Sequence, residues 1–269
     1  MSTTTRTRRD LCPGVLRPWP AEDGHLVRLR VPGGQLPAGS LAALVEVARE
    51  YGDGDVHLTG RANLQLRGLG DVSPAVVDAI EATGLLPSRS HELVRNVMAS
   101  PLTGLAGGRT DLRPVVVALD RLVCADPALA ALPGRFLFVL DDGRGDLAER
   151  SCDLGLVALD DGRAQLRVGP SWGTLVPLAD AAEALVELAR RFLDVRGEGP
   201  EAPWHVAELP APLVDPVPPD PRAHVSAPPL PYGAVAGGTH VEAPDGVVDP
   251  ASVADAILVT PWRGVLVTR

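Results

Sequence analysis

The chain has 269 residues, a formal net charge of −9, and 45 % hydrophobic, 22 % charged and 3 % aromatic residues. Such a chain is globular and long enough for one large or two ordinary cores. General nucleic-acid binding is argued against, because the net field repels phosphate and few rings are available to stack on bases.

Residues 1–14 read as a disordered leader: Met1 to Asp10 is polar and basic, and no apolar segment follows it as in a signal peptide. No run approaches the length of a membrane span. Cys12, Cys124 and Cys152 are odd in number and widely spaced. That suits neither a disulfide framework nor a metal knuckle, and points to reduced thiols in the cytoplasm.

Leu26–Val31 and Leu64–Gly68 alternate with period two, so each reads as a strand with two unlike faces. Val27, Leu29 and Val31 oppose Arg28 and Arg30 in the first; Leu64 and Leu66 oppose Asn63, Gln65 and Arg67 in the second. A sheet built from them is apolar behind and lined in front with guanidinium and amide donors. Arginines on an open sheet face are commonly just solvated. The alternative is a grip for a ligand with several carboxylates, which the planar guanidinium meets bidentately. All 25 basic residues are arginine, so the choice of Arg over Lys carries no signal. Ser40–Glu50, with Ser40 as cap and Gly52 and Gly54 at its end, and Ser73–Thr83, with Pro74 in its first turn, read as helices. His25 and His57 flank the strands, as ligands or as ordinary structural histidines.

Further along, Pro114–Cys124 and Leu178–Leu193 read as helices, and Arg135–Leu140, Leu154–Leu159 and Ala164–Val168 as strands. Gly104–Gly108 reads as a flexible connection beside Arg95, and the acidic run Asp141, Asp142, Asp146, Glu149 and Asp153 as a solvated turn. Eleven of the 27 prolines fall between Pro200 and Pro231, marking a stiff linker or wrapping segment. Beyond it, Pro244–Ser252 aligns without gaps to Pro32–Ser40 at an offset of 212 residues, and Val259–Val267 to Leu58–Leu66 at 201. The second copy therefore reads as a duplicate that has lost eleven residues, most of its helix. Trp262 stands there in place of Arg61, as a core residue or a stacking platform.

Arg28-Leu29-Arg30-Val31-Pro32-Gly33-Gly34, Leu58-Thr59-Gly60-Arg61 and Leu64-Gln65-Leu66-Arg67-Gly68 resemble the ferredoxin-like half-domain of the nitrite and sulfite reductase superfamily. Arg95-Asn96-Val97-Met98-Ala99-Ser100-Pro101 and Leu132-Pro133-Gly134-Arg135 look like its middle domain. Within the superfamily, Cys12-Pro13-Gly14-Val15-Leu16-Arg17-Pro18, Asp141-Asp142-Gly143 and Leu258-Val259-Thr260-Pro261-Trp262-Arg263 resemble the precorrin-3B synthases. The implied fold class is α+β: two ferredoxin-like half-domains, the second shortened, flanking an α/β middle domain. The implied boundaries are 15–86 for the first half-domain, 87–199 for the middle domain, 200–231 for the linker and 232–269 for the second half-domain.

The resemblance implies that Arg28, Arg30, Arg61, Arg67 and Arg95 hold tetrapyrrole carboxylates and that Asn63 and Asn96 add hydrogen bonds. The reductases place two basic residues after the Leu132-Pro133 equivalent to meet the oxyanion substrate; here those positions read Arg135 and Leu137, which argues against nitrite or sulfite reduction. The superfamily also uses a 4Fe-4S cluster, bound by four cysteines in two close pairs after the second half-domain. The three scattered cysteines do not supply that set, and the chain ends at Arg269 where such a domain is expected. The expectations left open are an oxygen-dependent, precorrin-3B synthase-like hydroxylation and lactone formation on a precorrin, with iron left open; a cluster-less tetrapyrrole-binding module; one half of an enzyme whose iron–sulfur domain or reductant protein is encoded separately; and a decayed gene product. No catalytic residue and no metal ligand is assigned, and neither nucleic acid nor membrane is expected as a partner.

Overall fold

Period-two alternation puts Val27, Leu29, Leu64 and Leu66 on one face, and that face is buried. The computed structural model describes residues 10–249 and 256–267. Strands β1 (Trp19–Ala21), β2 (Gly24–Leu29), β3 (His57–Leu58) and β4 (Leu64–Leu69) form an antiparallel sheet in the order β1-β2-β4-β3. Helices α1 (Ser40–Tyr51) and α2 (Pro74–Ala82) bring Leu41, Leu44, Ala48, Val77 and Ile80 into the same core. The cap of α1 is Gly39, left-handed at φ 75°, rather than Ser40; Ser40 is the first helical residue and its hydroxyl has no partner among the described residues.

The middle sheet is mixed. β5 (Val97–Ala99), β6 (Phe138–Asp141) and β7 (Leu154–Ala158) run parallel, and β8 (Arg163–Val168) and β9 (Ser171–Pro177) continue antiparallel. Helices α3 (Arg113–Ala125) and α4 (Ala181–Arg196) bury Val116, Leu119, Leu185 and Phe192 in a core that includes Phe136 and Phe138. The Phe136 ring lies 5.3 Å from Phe138 and 4.9 Å from Phe192, centroid to centroid. β6 starts at Phe138, later than the run beginning at Arg135 suggested, and β9 had no clean alternation to announce it.

The segment read as a linker wraps this sheet. Val217 N–H donates to the Trp172 carbonyl at 3.0 Å, and the Gln165 amide donates to Pro218 O at 3.0 Å. Val206, Leu213 and Ala223 are buried along the way. The acidic run corrects an expectation. Asp141, Asp142 and Asp153 are buried, not solvated. Asp141 accepts the N–H groups of Gly143, Gly145 and Leu147, Asp142 pairs with Arg144, and Asp153 accepts Leu137 and Val206 N–H. Buried carboxylates persist because each has such donors. Gly104–Gly108 packs here, with the Arg144 guanidinium on Ala106 O at 2.7 Å.

β10 (Gly233–Val235), β11 (Gly238–Glu242), β12 (Ala256–Val259) and β13 (Gly264–Val267) repeat the topology of the first sheet, in the order β10-β11-β13-β12. Arg28 faces Gln65 and Leu29 faces Leu64 in the first sheet; His240 faces Leu266 and Val241 faces Val265 in the second. The turns match in detail. Ala62 and Arg263 both take positive φ, at 55° and 57°, closed by Thr59 N–H to Asn63 O at 2.9 Å and Thr260 N–H to Gly264 O at 2.8 Å. The copies also clasp reciprocally: Leu36 N–H donates to Ile257 O and Val248 N–H to Val56 O, both at 3.0 Å. At that crossing Gly34 approaches Val259 so closely that a Cβ would lie 2.0 Å from its carbonyl oxygen. The helix expected to be lost falls on 250–255, outside the described residues.

Candidate functional site

The polar face of the first sheet is not flat but lines a concavity open to solvent. It forms one wall of a trough made of two joined hollows, of about 590 and 640 Å³, that share Arg28 and Arg61. The first is lined by Arg28, Arg30, Arg61, Arg67 and, from the second copy, Arg263; the second by Arg28, Arg61, Arg135, Trp19 and Trp204.

Among the described residues three arginines carry a buried nitrogen with no partner, and two of them, Arg28 and Arg30, line the trough; the third, Arg167, lies elsewhere. Arg30 is 2 % exposed; its Nε donates to Leu93 O at 3.3 Å and Nη2 to Pro13 O at 3.4 Å, while Nη1 has no acceptor among the described residues. Arg28 Nη2 donates to Gln65 Oε1 at 3.1 Å, and its Nε is likewise left without an acceptor. Burial lowers both guanidinium pKa values, that of Arg30 to about 10, with the Arg28 charge adding to the effect; Arg61 and Arg135 act the same way on Arg28. Buried donors without acceptors and like charges held together are each unfavourable, and an anion seated among them relieves both. Arg61 Nη1 donates to Arg135 O at 3.1 Å, and Arg67 pairs with Asp23 at 2.9 Å at the exposed rim.

The asparagines do something else. Asn63 Oδ1 accepts Val31 N–H at 2.9 Å and its Nδ2 donates to Asn96 Oδ1 at 3.1 Å; Asn96 Nδ2 donates in turn to Gly134 O at 2.8 Å. Both are buried in the wall of the arginine hollow, where these bonds tie the turn at Asn63 to Asn96 and the Gly134 loop and hold the wall's shape.

Arg95 does not line either hollow of the trough. It is buried and forms a bidentate pair with Asp120 on α3, at 2.7 and 2.8 Å. Expected in the clamp, it links α3 to Arg30 instead, with its Nη1 also 3.5 Å from Arg30 O. Residues 10–14, read as leader, form part of the trough wall: Cys12 is buried, and Asp10 accepts Cys12 N–H at 3.0 Å and also Gly134 N–H. Glu92 fastens this wall by accepting the N–H groups of Val15 and Leu16. His25 Nδ1 lies 2.6 Å from Gly70 O, and His57 Nε2 2.8 Å from Asp53, so both are satisfied locally. Trp262 packs beside Leu137, Met98 and Val139. The sequence reading missed Arg263, Trp19 and Trp204; the Arg263 position was visible only through the repeat.

The thiols do not suit an iron–sulfur cluster. Cys12, Cys124 and Cys152 are one short of the four thiolates such a cluster takes, and burial raises the pKa of each, that of Cys152 to about 11. Among the described residues no three His, Cys, Asp or Glu side chains are placed to hold a metal ion. No helix there is long and apolar enough to cross a membrane.

Residues 19–83 match the family described as the nitrite/sulfite reductase ferredoxin-like half domain. The chain is 33 % identical over 145 residues to a ferredoxin–nitrite reductase from Leptolyngbya laminosa, which covers 51 % of this chain and 28 % of that protein. It is 29 % identical over 143 residues to a precorrin-3B synthase from a Sinorhizobium species, covering 52 % and 30 %. The matched stretch is thus under a third of these relatives' length. The solved structure of the Mycobacterium tuberculosis NirA protein superposes with a TM-score of 0.69 at 20 % identity, over 90 % of this chain and 53 % of that one. The chain therefore has an α+β fold like that of the NirA protein, and its residues 19–83 are similar to a nitrite/sulfite reductase ferredoxin-like half domain.

Proposed function

We propose that the trough binds a tetrapyrrole bearing several carboxylates, and that the chain is an oxidoreductase-family protein of cobalamin biosynthesis resembling precorrin-3B synthase. The observation that carries this reading is the pair of buried, acceptor-less guanidinium nitrogens on Arg28 and Arg30 inside a hollow whose other cations are Arg61, Arg67 and Arg263. In this reading Arg28, Arg30 and Arg61 meet propionate or acetate groups, and Arg67 and Arg263 close the rim. Leu137 sits buried among Met98, Val139 and Trp262, so Arg135 stands without a second cation at that position, which favours oxygenation of the macrocycle over reduction of an oxyanion. The reaction proposed puts one atom of dioxygen into precorrin-3A as a hydroxyl with lactone closure; the other leaves as water, with two protons and two electrons from an external reductant. The residues of this chain bind and orient, and the oxygen chemistry belongs to the bound group.

A second reading has its own support. The three thiols, not grouped as a metal site among the described residues, favour a tetrapyrrole-binding module, or one half of an enzyme that works with an iron–sulfur domain or a reductant protein. One experiment separates the two: mass spectrometry of precorrin-3A after aerobic incubation with the purified chain and a reductant, beside an anaerobic control. Oxygen gain in the aerobic sample alone supports the synthase. Unaltered precorrin together with saturable binding supports the module, and absence of binding removes both.

A further inference from the structure

The trough is two-sided in chemistry. Nine aromatic side chains serve the whole chain, and Phe136, Phe138 and Phe192 are spent on the middle core. Against that scarcity, two tryptophans line one half of the trough. Trp19 stands on β1 and remains 41 % exposed, opposite Leu26 in the sheet register. Trp204 comes from the proline-rich segment, half-buried, with the Arg135 guanidinium 5.4 Å from its ring centroid. Both belong to the 640 Å³ hollow, together with Leu11, Leu26 and Pro13. The neighbouring hollow is lined by no Trp, Tyr or Phe and by five arginines, Arg28, Arg30, Arg61, Arg67 and Arg263, against three in the tryptophan half, Arg28, Arg61 and Arg135. A single exposed apolar side chain is ordinary, but two indoles lining one hollow form a patch that suits a flat apolar surface.

We infer that Trp19 and Trp204 are specificity residues that receive the apolar face of the ligand, while Arg28, Arg30 and Arg61 receive its carboxylates. The inference rests on the tetrapyrrole reading and adds an orientation to it: the ring system lies in the tryptophan half, and its acidic side chains point across Arg28 and Arg61 into the arginine half. The site then selects for a large flat ring over an open-chain polycarboxylate of equal charge. It also assigns a task to the proline-rich segment. Prolines limit the conformations open to residues 200–231, so Trp204 is held against the trough at low entropic cost before any ligand arrives. Cation contact with Arg135 fixes the indole plane further.

The test uses the full chain and uroporphyrin, a flat macrocycle with eight carboxylates, followed by quenching of tryptophan emission and by the shift of the porphyrin absorption band. An N-acetylated hepta-glutamate peptide, which also carries eight carboxylates but no ring, serves as the open-chain competitor. Trp19→Ala and Trp204→Ala are each expected to weaken uroporphyrin binding about ten-fold, the scale of one ring stacked on an aromatic side chain. Trp204→Phe is expected to restore most of that loss. The slope of log affinity against log salt is expected to stay at the wild-type value in both tryptophan variants and to flatten in Arg61→Ala, because stacking is neutral and the clamp is ionic. Trp19 is a surface residue, so its variant reports even where Trp204→Ala disturbs the wrapping segment. Wild-type affinity in both alanine variants, or the hepta-glutamate peptide competing as well as uroporphyrin, overturns the orientation and leaves the arginine clamp standing. No uroporphyrin binding by the wild-type chain overturns the tetrapyrrole reading itself.

Discussion

Arg61 and Arg95 look alike in the sequence, and the structure predicts opposite consequences for their loss. Arg95→Ala removes one partner of a pair whose side chains are 7 % and 23 % exposed, leaving the Asp120 carboxylate beside apolar surface without its bidentate donor. Breaking a buried pair from one side costs about 3–5 kcal/mol, and the partial exposure of Asp120 puts this case at the lower end, about 3 kcal/mol. For a chain of this size that lowers the melting temperature by roughly 6–12 °C. Arg61→Ala removes one hydrogen bond, to Arg135 O at 3.1 Å at an exposed site, and costs less than about 1 kcal/mol of stability. It also relieves repulsion on Arg28. Its effect falls on ligand affinity instead, about 1.5–3 kcal/mol for a charge-assisted hydrogen bond, or roughly 10- to 150-fold. Thermal unfolding and uroporphyrin titration of both variants, side by side, give the answer. A stable Arg95→Ala protein that has lost binding, or an Arg61→Ala protein that melts early and binds normally, refutes the assignment of the two roles.

Gly34→Ala is expected to cost upwards of about 3 kcal/mol, because a Cβ would meet Val259 O at 2.0 Å and the residue holds φ 70°. Its counterpart Gly246→Ala, with 3.3 Å of clearance at φ 80°, is expected to cost only the left-handed strain of about 1–2 kcal/mol; equal urea midpoints for the two variants would count against the reciprocal clasp. Burial lifts the Asp146 carboxyl to about 7, reinforced by the Asp141 and Asp142 charges and opposed by the Ser100 hydroxyl. The folded state therefore binds this proton more tightly than the unfolded chain, so its contribution to stability falls as pH rises from about 4 to about 7 and levels off above. Asp146→Asn should flatten that decline in urea denaturation between about pH 5 and about pH 8, and an unchanged pH slope would show that another group carries it. The three thiols, all raised by burial, should react slowly with a disulfide reagent near pH 8 in the native protein and fully in denaturant; rapid native labelling of Cys152 would contradict its burial.

The period-two alternation of Val27, Leu29, Leu64 and Leu66 was enough to specify two strands, their buried side and the arginines on the other, because side-chain alternation is a local property of the extended backbone. Helices α1 to α4 were legible for a similar reason, from apolar spacing and their glycine and proline punctuation. The repeat was legible through matched turns, whose positive-φ positions at Ala62 and Arg263 are set by the same Thr-anchored geometry. What each polar side chain meets was not legible. Arg95 is spoken for by Asp120, 25 residues on and on another element, and Asp141 is buried because a tight loop brings it three backbone donors. Trp204 lies in a stretch whose composition signals only stiffness, yet the wrapping path carries it to the trough. Burial and pairing are decided by contacts between residues distant in the chain. The sequence alone therefore determined which elements form and which faces are polar, and the tertiary structure decided which of those polar groups remain free to hold a ligand.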